Sequence, residues 1–100
     1  MISEVIWTVR AEADLLREFA RLEEQSEGAG EKLLGIVESA LRLLRLNPEM
    51  APRYSRRYRR FVLRDRRLGI FYCFELRGVV IHAVCDLRQD RETILRHLTN

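Results

Sequence analysis

Apolar positions recur along this chain with two different periods, and the change of period divides it into elements. Val5-Ile6-Trp7-Thr8-Val9 is a short, β-branched apolar run and predicts a strand. Thr8 is placed to cap a helix starting directly after it. From Ala11 to about Glu27, Leu15, Leu16, Phe19 and Leu22 recur at helical spacing between acids and arginines, which predicts an amphipathic helix. Gly28-Ala29-Gly30 interrupts it. A second helix is expected from about Glu31 to Leu46. Its apolar positions are Leu33, Leu34, Ile36, Val37, Ala40, Leu41, Leu43 and Leu44. That face is broader than one stripe, so this helix should be the more buried of the two. The short glycine link makes the pair an antiparallel hairpin, and Asn47-Pro48 ends it.

Beyond a loop at 48–57 the period falls to two. Strands are expected at Tyr58–Leu63, Gly69–Leu76 and Val79–Asp86, with turns at Arg64–Arg67 and Arg77-Gly78. Their close spacing implies an antiparallel meander. A short helix over Asp90–Asn100 carries Ile94, Leu95 and Leu98 on one face. The order βααβββα is that of an α+β domain, with the helical hairpin on one face of a small, mainly antiparallel sheet.

If Arg77-Gly78 is a two-residue turn, Leu76 pairs with Val79. One sheet face then holds Ile70, Tyr72, Phe74, Leu76, Val79, Ile81, Ala83 and Cys85, joined by Phe61 and Leu63, and should lie under the hairpin. The opposite face holds Phe71, Cys73, Glu75, Val80, His82, Val84 and Asp86, with Arg88 just beyond. Tyr58, Arg60, Val62 and Arg64 point the same way. Charged groups set among apolar ones form a partner-binding surface, unless the last helix folds back over it.

A length of 100 residues fits a single domain spanning 1–100. The hydrophobic content of 47% and the two prolines argue for a folded globule. No apolar run approaches the ~20 residues of a membrane span, and the start lacks the basic and apolar parts of a signal peptide. A cytoplasmic protein is expected. Cys73 and Cys85 lie in apolar segments and read as core residues. As cysteines they are too few and too far apart for a zinc site, and no metal or cofactor is expected.

Charge changes the picture more than composition. Residues 1–50 hold 6 Lys+Arg against 10 Asp+Glu, and residues 51–100 hold 12 against 5. All the basic residues but Lys32 are arginine, whose fork matches phosphate and carboxylate. The run Arg53-Tyr54-Ser55-Arg56-Arg57-Tyr58-Arg59-Arg60 suits an acidic protein, a nucleic acid or plain solvation. His82 and Asp86 share a strand face but stand about 13 Å apart, so they make no catalytic dyad. His97 reads as a surface residue. Asp86 and Arg88 fit either a local ion pair or a functional pair.

Three segments, in this order, carry a family resemblance. They are Val5-Ile6-Trp7-Thr8 with Ala11 and Asp14-Leu15; Arg60-Phe61-Val62-Leu63 with Leu68-Gly69-Ile70-Phe71-Tyr72; and Val80–Asp90 ending Ala83-Val84-Cys85-Asp86-Leu87-Arg88-Gln89-Asp90, followed by a helix with Leu98. Over nearly its whole length the chain resembles the RelE/ParE superfamily of toxins. The resemblance implies a toxin of a bacterial type II toxin–antitoxin pair, neutralised by a cognate antitoxin in a hetero-oligomer. RelE-like members are ribosome-dependent endoribonucleases that cut messenger RNA, and ParE-like members inhibit DNA gyrase. Many RelE-like members carry an arginine where this chain has Gly69, and a histidine where it has Asp86. Arg88 does match a recurrent arginine. The two departures favour the ParE-like branch, which is not an enzyme. The alternatives are a ribonuclease using Arg60, Arg64 and Arg88 around a phosphate, or a relative that binds its partner without toxicity. Target or antitoxin is expected to bind at Tyr58, Arg60, Arg64, His82, Asp86 and Arg88.

Overall fold

The computed structural model describes residues 2–65 and 67–99. Its elements are β1 (Val5–Trp7), α1 (Val9–Gln25), α2 (Ala29–Leu46), β2 (Arg59–Val62), β3 (Leu68–Glu75), β4 (Gly78–Asp86) and α3 (Arg91–Thr99). The α+β order is the expected one. Position 66 of the expected turn and position 100 of the expected helix lie outside the described residues.

The Thr8 side chain caps α1, accepting a hydrogen bond from the Ala11 N–H at 3.1 Å. On α2, Leu33, Val37, Ala40 and Leu44 are buried at steps of four, three and four residues. On α1 only Ala11 and Asp14 are fully buried, so α2 is the more buried helix. Leu16 departs from the expected apolar stripe and is 68% exposed. The helical hairpin packs on the sheet face that presents Leu68, Ile70, Tyr72, Val79, Ile81 and Val84.

The sheet order is β1-β4-β3-β2. β1 runs parallel to β4, with Val5 opposite Val79 and Trp7 opposite Ile81. β2, β3 and β4 form the expected antiparallel meander. Two details of register differ from expectation. Glu75 pairs with Gly78, so the turn is Leu76-Arg77, and Val79 faces Phe74 in place of Leu76, a two-residue change of partner that keeps the faces. Gly78 belongs to the strand because it is pressed against β1: a Cβ there would lie 2.5 Å from the Glu4 carbonyl oxygen, and its φ is +125°. The second difference is a bulge. Tyr72 faces Ile81 and Phe71 faces Ala83, leaving His82 as an extra residue in β4.

The bulge exchanges faces beyond it. Ala83 and Cys85, expected under the hairpin, lie on the opposite face, and Val84 moves into the core beneath the helices. Phe74 and Leu76 were also expected in the core. They lie at the tip of the β3–β4 hairpin, where Phe74 is half-exposed and Leu76 fully exposed.

The second face is not open. α3 folds back over it, and Phe71, Cys73, Ala83 and Cys85 are buried with Tyr58 against Ile94 and Leu98. The Tyr58 hydroxyl donates to the Leu98 carbonyl at 3.2 Å. A polar lock completes the docking. β1 ends at Trp7, so β4 loses its neighbour on that side and Val84 presents an outward N–H. The buried Asp14 carboxylate accepts that N–H at 3.0 Å. The same carboxylate pairs with His97 Nε2 at 2.9 Å and with Arg17. Arg10 adds a hydrogen bond to the His97 carbonyl at 2.6 Å. His97, expected on the surface, therefore fastens α3 to α1. No helix among the described residues is long and apolar enough to cross a membrane.

Candidate functional site

With the second sheet face covered, its charged residues emerge at the rim, and the expected site residues fall into three places. The first is a basic rim around Tyr54. The 48–57 loop folds back along β2 through an Arg53–Arg59 bridge and an Arg60 N–H to Pro52 carbonyl bond of 3.1 Å. This sets the Tyr54 ring edge-on against Phe71, at 4.9 Å between centroids. The guanidinium of Arg60 lies 5.3 Å from the Tyr54 centroid and that of Arg91 lies 4.5 Å from it. Two cations on one ring are held by its electron-rich faces.

Gly69, opposite Val62 on β2, makes room for this rim. A Cβ there would lie 2.9 Å from Leu87 Cδ2 and 3.4 Å from Arg60 Cγ. The glycine thus lets Leu87 and the Arg60 stem close over β3, in the space an arginine would need. The Leu87 N–H donates to the Arg67 carbonyl at 2.7 Å, bringing Arg67 alongside. The Nε atoms of Arg60 and Arg67 are buried without a hydrogen-bond partner among the described residues.

Asp86 and Arg88 sit at the end of β4 and bond chiefly to each other, with Arg88 Nη2 2.6 Å from Asp86 Oδ2. The hydrogen bonds from Arg88 hold the Asp86 carboxyl down at about 2. At neutral pH this is a fixed anion and a very weak base. Arg88 is exposed, and its charge is largely matched by Asp86.

The second place is an apolar groove between α2 and the sheet edge, lined by Ile36, Ser39, Ala40, Leu43 and the segment Phe61–Arg64. Arg64 lies here, next to α2, and not with Arg60 and Arg88 as expected; it also borders Lys32 and Gly35. β2 ends at Val62, so Arg64 belongs to the turn beyond it and leaves the shared face. β2 is an edge strand, and the loop covers it only as far as Arg60. Val62 is the next position whose backbone groups point away from β3, and its side chain is 41% exposed. Exposed Leu43 and Val62 beside an uncovered strand edge make a docking surface for an extended segment.

The third place is the bulge. His82 packs edge-on to Tyr58 at 5.4 Å, and its nearest acid is Glu75, at 3.8 Å. Burial and the nearby Arg57 lower its pKa. No hydrogen bond joins it to Arg60, Arg64 or Arg88 among the described residues. Tyr58 itself is 5% exposed: it supports α3 and offers little surface to a partner. Sequence reasoning found no metal-binding set, but the fold assembles two trios of possible ligands, Cys73–Glu75–His82 and Asp14–Cys85–His97. Cysteine spacing alone cannot reveal ligands from different strands and helices. The same reasoning missed Tyr54 and Arg91 as partners of Arg60. Tyr54 was visible within the basic run; Arg91 carried no local signal.

The comparisons with known proteins agree with this fold. The model of the ParE toxin of the type II toxin–antitoxin system parDE matches residues 5–92. Among solved structures, a chain described as the chromosomal ParDE toxin–antitoxin system from P. aeruginosa superposes with a TM-score of 0.74 at 15% identity. The match covers 85% of this chain and 96% of that one, and at that identity it shows a shared fold. No curated protein sequence matches the chain.

Proposed function

This chain belongs to the ParE toxin family of type II toxin–antitoxin systems, and we propose that it acts in the cytoplasm by inhibiting DNA gyrase and is silenced by a cognate antitoxin. The observation that carries the choice of target is the paired state of Asp86. A carboxyl held at about 2 by Arg88 is far from the near-neutral value that suits a general acid or base. Gly69 supports the same reading: its place is filled by Leu87 and the Arg60 stem, so a phosphate-binding arginine is missing from the middle strand. The remaining arginines around Tyr54 supply charge without a proton-transfer partner. That suits binding an acidic protein surface better than cutting a phosphodiester.

The antitoxin docks in the groove between α2 and β2. An extended segment adds a strand beside Val62 and sets apolar side chains against Leu43 and Ile36, while Arg64 and Lys32 attract acids at one end. Arg60, Arg67, Arg88 and Arg91 on the basic rim form the gyrase-facing surface. In a purified translation system, ribosome-bound message is expected to stay intact at excess protein. Message cut at the ribosome would replace gyrase inhibition by the ribonuclease reading. Growth arrest on expression, relieved by co-expression of the cognate antitoxin, is the cellular counterpart. Normal growth without antitoxin would leave only partner binding.

A further inference from the structure

At the opposite end of the sheet from Asp86, three side chains converge that the toxin reading does not use. Cys73 and Glu75 alternate on one face of β3, and the bulge in β4 turns His82 toward them. Their sulfur, oxygen and nitrogen donors lie within 4.8 Å of one another. His82 Nε2 is buried and has no hydrogen-bond partner among the described residues, because Glu75 Oε2 at 3.8 Å is beyond reach. A buried polar atom left unpaired is costly, so a missing partner is the simplest reason for its position. The trio Asp14–Cys85–His97 differs: its carboxylate and imidazole already satisfy each other and the Val84 N–H.

From this geometry we propose that Cys73 Sγ, Glu75 Oε2 and His82 Nε2 bind a Zn²⁺ ion, with water as the fourth ligand. One thiolate, one imidazole and one carboxylate are a zinc-type donor set. Zinc bonds of about 2.0–2.3 Å put tetrahedral donors roughly 3.3–3.8 Å apart, so modest closure completes the site. Glu75 is one-third exposed and can supply that movement. His82 is already in the neutral form that ligates, because burial and Arg57 disfavour its charged form. The Cys73 thiol now donates to the Arg57 carbonyl at 3.3 Å. On binding, its proton passes to solvent, and the thiolate and carboxylate together neutralise the ion. Arg57 and Arg77, both largely exposed beside Glu75, swing into water. An ion here would clamp the β3–β4 hairpin close to where Tyr58 and Leu98 meet.

The test uses chelator-treated, reduced protein titrated with Co²⁺. The wild type is expected to develop a thiolate-to-cobalt charge-transfer band, which stoichiometric Zn²⁺ abolishes. Cys73→Ser and His82→Gln should lose the band, and Cys85→Ser should keep it. Zn²⁺ should raise the melting temperature of the wild type and leave that of His82→Gln unchanged, a comparison that holds if Cys73→Ser fails to fold. No charge-transfer band in the wild type overturns the proposal. So does a band that survives Cys73→Ser or His82→Gln and disappears in Cys85→Ser, because that places the ion on the other trio.

Discussion

Asp14 shows how much one side chain can hold. It is 2% exposed and answers three donors: an N–H of β4, an imidazole of α3 and a guanidinium of its own helix. Asp14→Ala should cost about 3 kcal/mol in urea unfolding, since it strands the Val84 N–H and releases His97. A change below about 1 kcal/mol would contradict the lock. His82 works in the opposite sense. Its folded pKa lies below the unfolded value of about 6.5, so the folded state binds fewer protons there. The stabilising effect of keeping it neutral is complete above about pH 6.5 and is lost as pH falls through that value toward the folded pKa. Arg57 and Arg77 oppose the added charge, Glu75 favours it, and the Tyr58 ring packs against it. In metal-free buffer the wild type should therefore lose stability between neutral pH and pH 5 more steeply than His82→Gln. Parallel curves would remove His82 from the account.

At the scale of elements, Gly78 sets the register. Gly78→Ala meets both a positive φ and the Glu4 carbonyl, so it should cost about 2–4 kcal/mol and loosen β1 from β4. Gly69→Ala meets chiefly the flexible end of Leu87, with the Arg60 stem at 3.4 Å, and should cost about 1 kcal/mol or less. Chemical denaturation of the two variants side by side checks the contrast; equal losses would mean that Gly78 is not the pin. These glycines also explain what could be read from the sequence. Apolar periodicity located every element, the Thr8 cap and the greater burial of α2, because those depend on local spacing. It placed Phe71 and Cys73 correctly on the second face. It misplaced Ala83, Cys85 and Val84, because the bulge at His82 inserts an extra residue that no two-residue period contains. The tip residues Phe74 and Leu76 had the right alternation but lay beyond the reach of the helices.

For the molecule as a whole, the acidic first half supplies the helical layer and the arginine-rich second half supplies the rim and the groove edge. The sequence placed Arg60 and Arg88 on an open sheet face; α3 covers that face, so both emerge at its rim instead. Arg64 was not separable from them, because its displacement toward α2 follows from β2 ending at Val62, two residues before it. Charge reversal at Arg60 together with Arg88 should abolish toxicity while far-ultraviolet circular dichroism stays unchanged, since Arg88 is exposed and Arg60 is only partly buried at the edge of the sheet. A variant that unfolds would contradict the placement of the rim. Leu43→Glu with Val62→Glu should weaken antitoxin binding by about 30-fold or more, as expected when central apolar contacts worth about 2 kcal/mol are lost, and should leave toxicity in place. Unchanged antitoxin affinity would move the docking surface elsewhere.

The central claim is most directly tested by a DNA supercoiling reaction with purified gyrase. Added in molar excess, the protein is expected to stop supercoiling, and prior mixing with its antitoxin should restore it. Supercoiling that continues unhindered at every protein concentration would contradict the account.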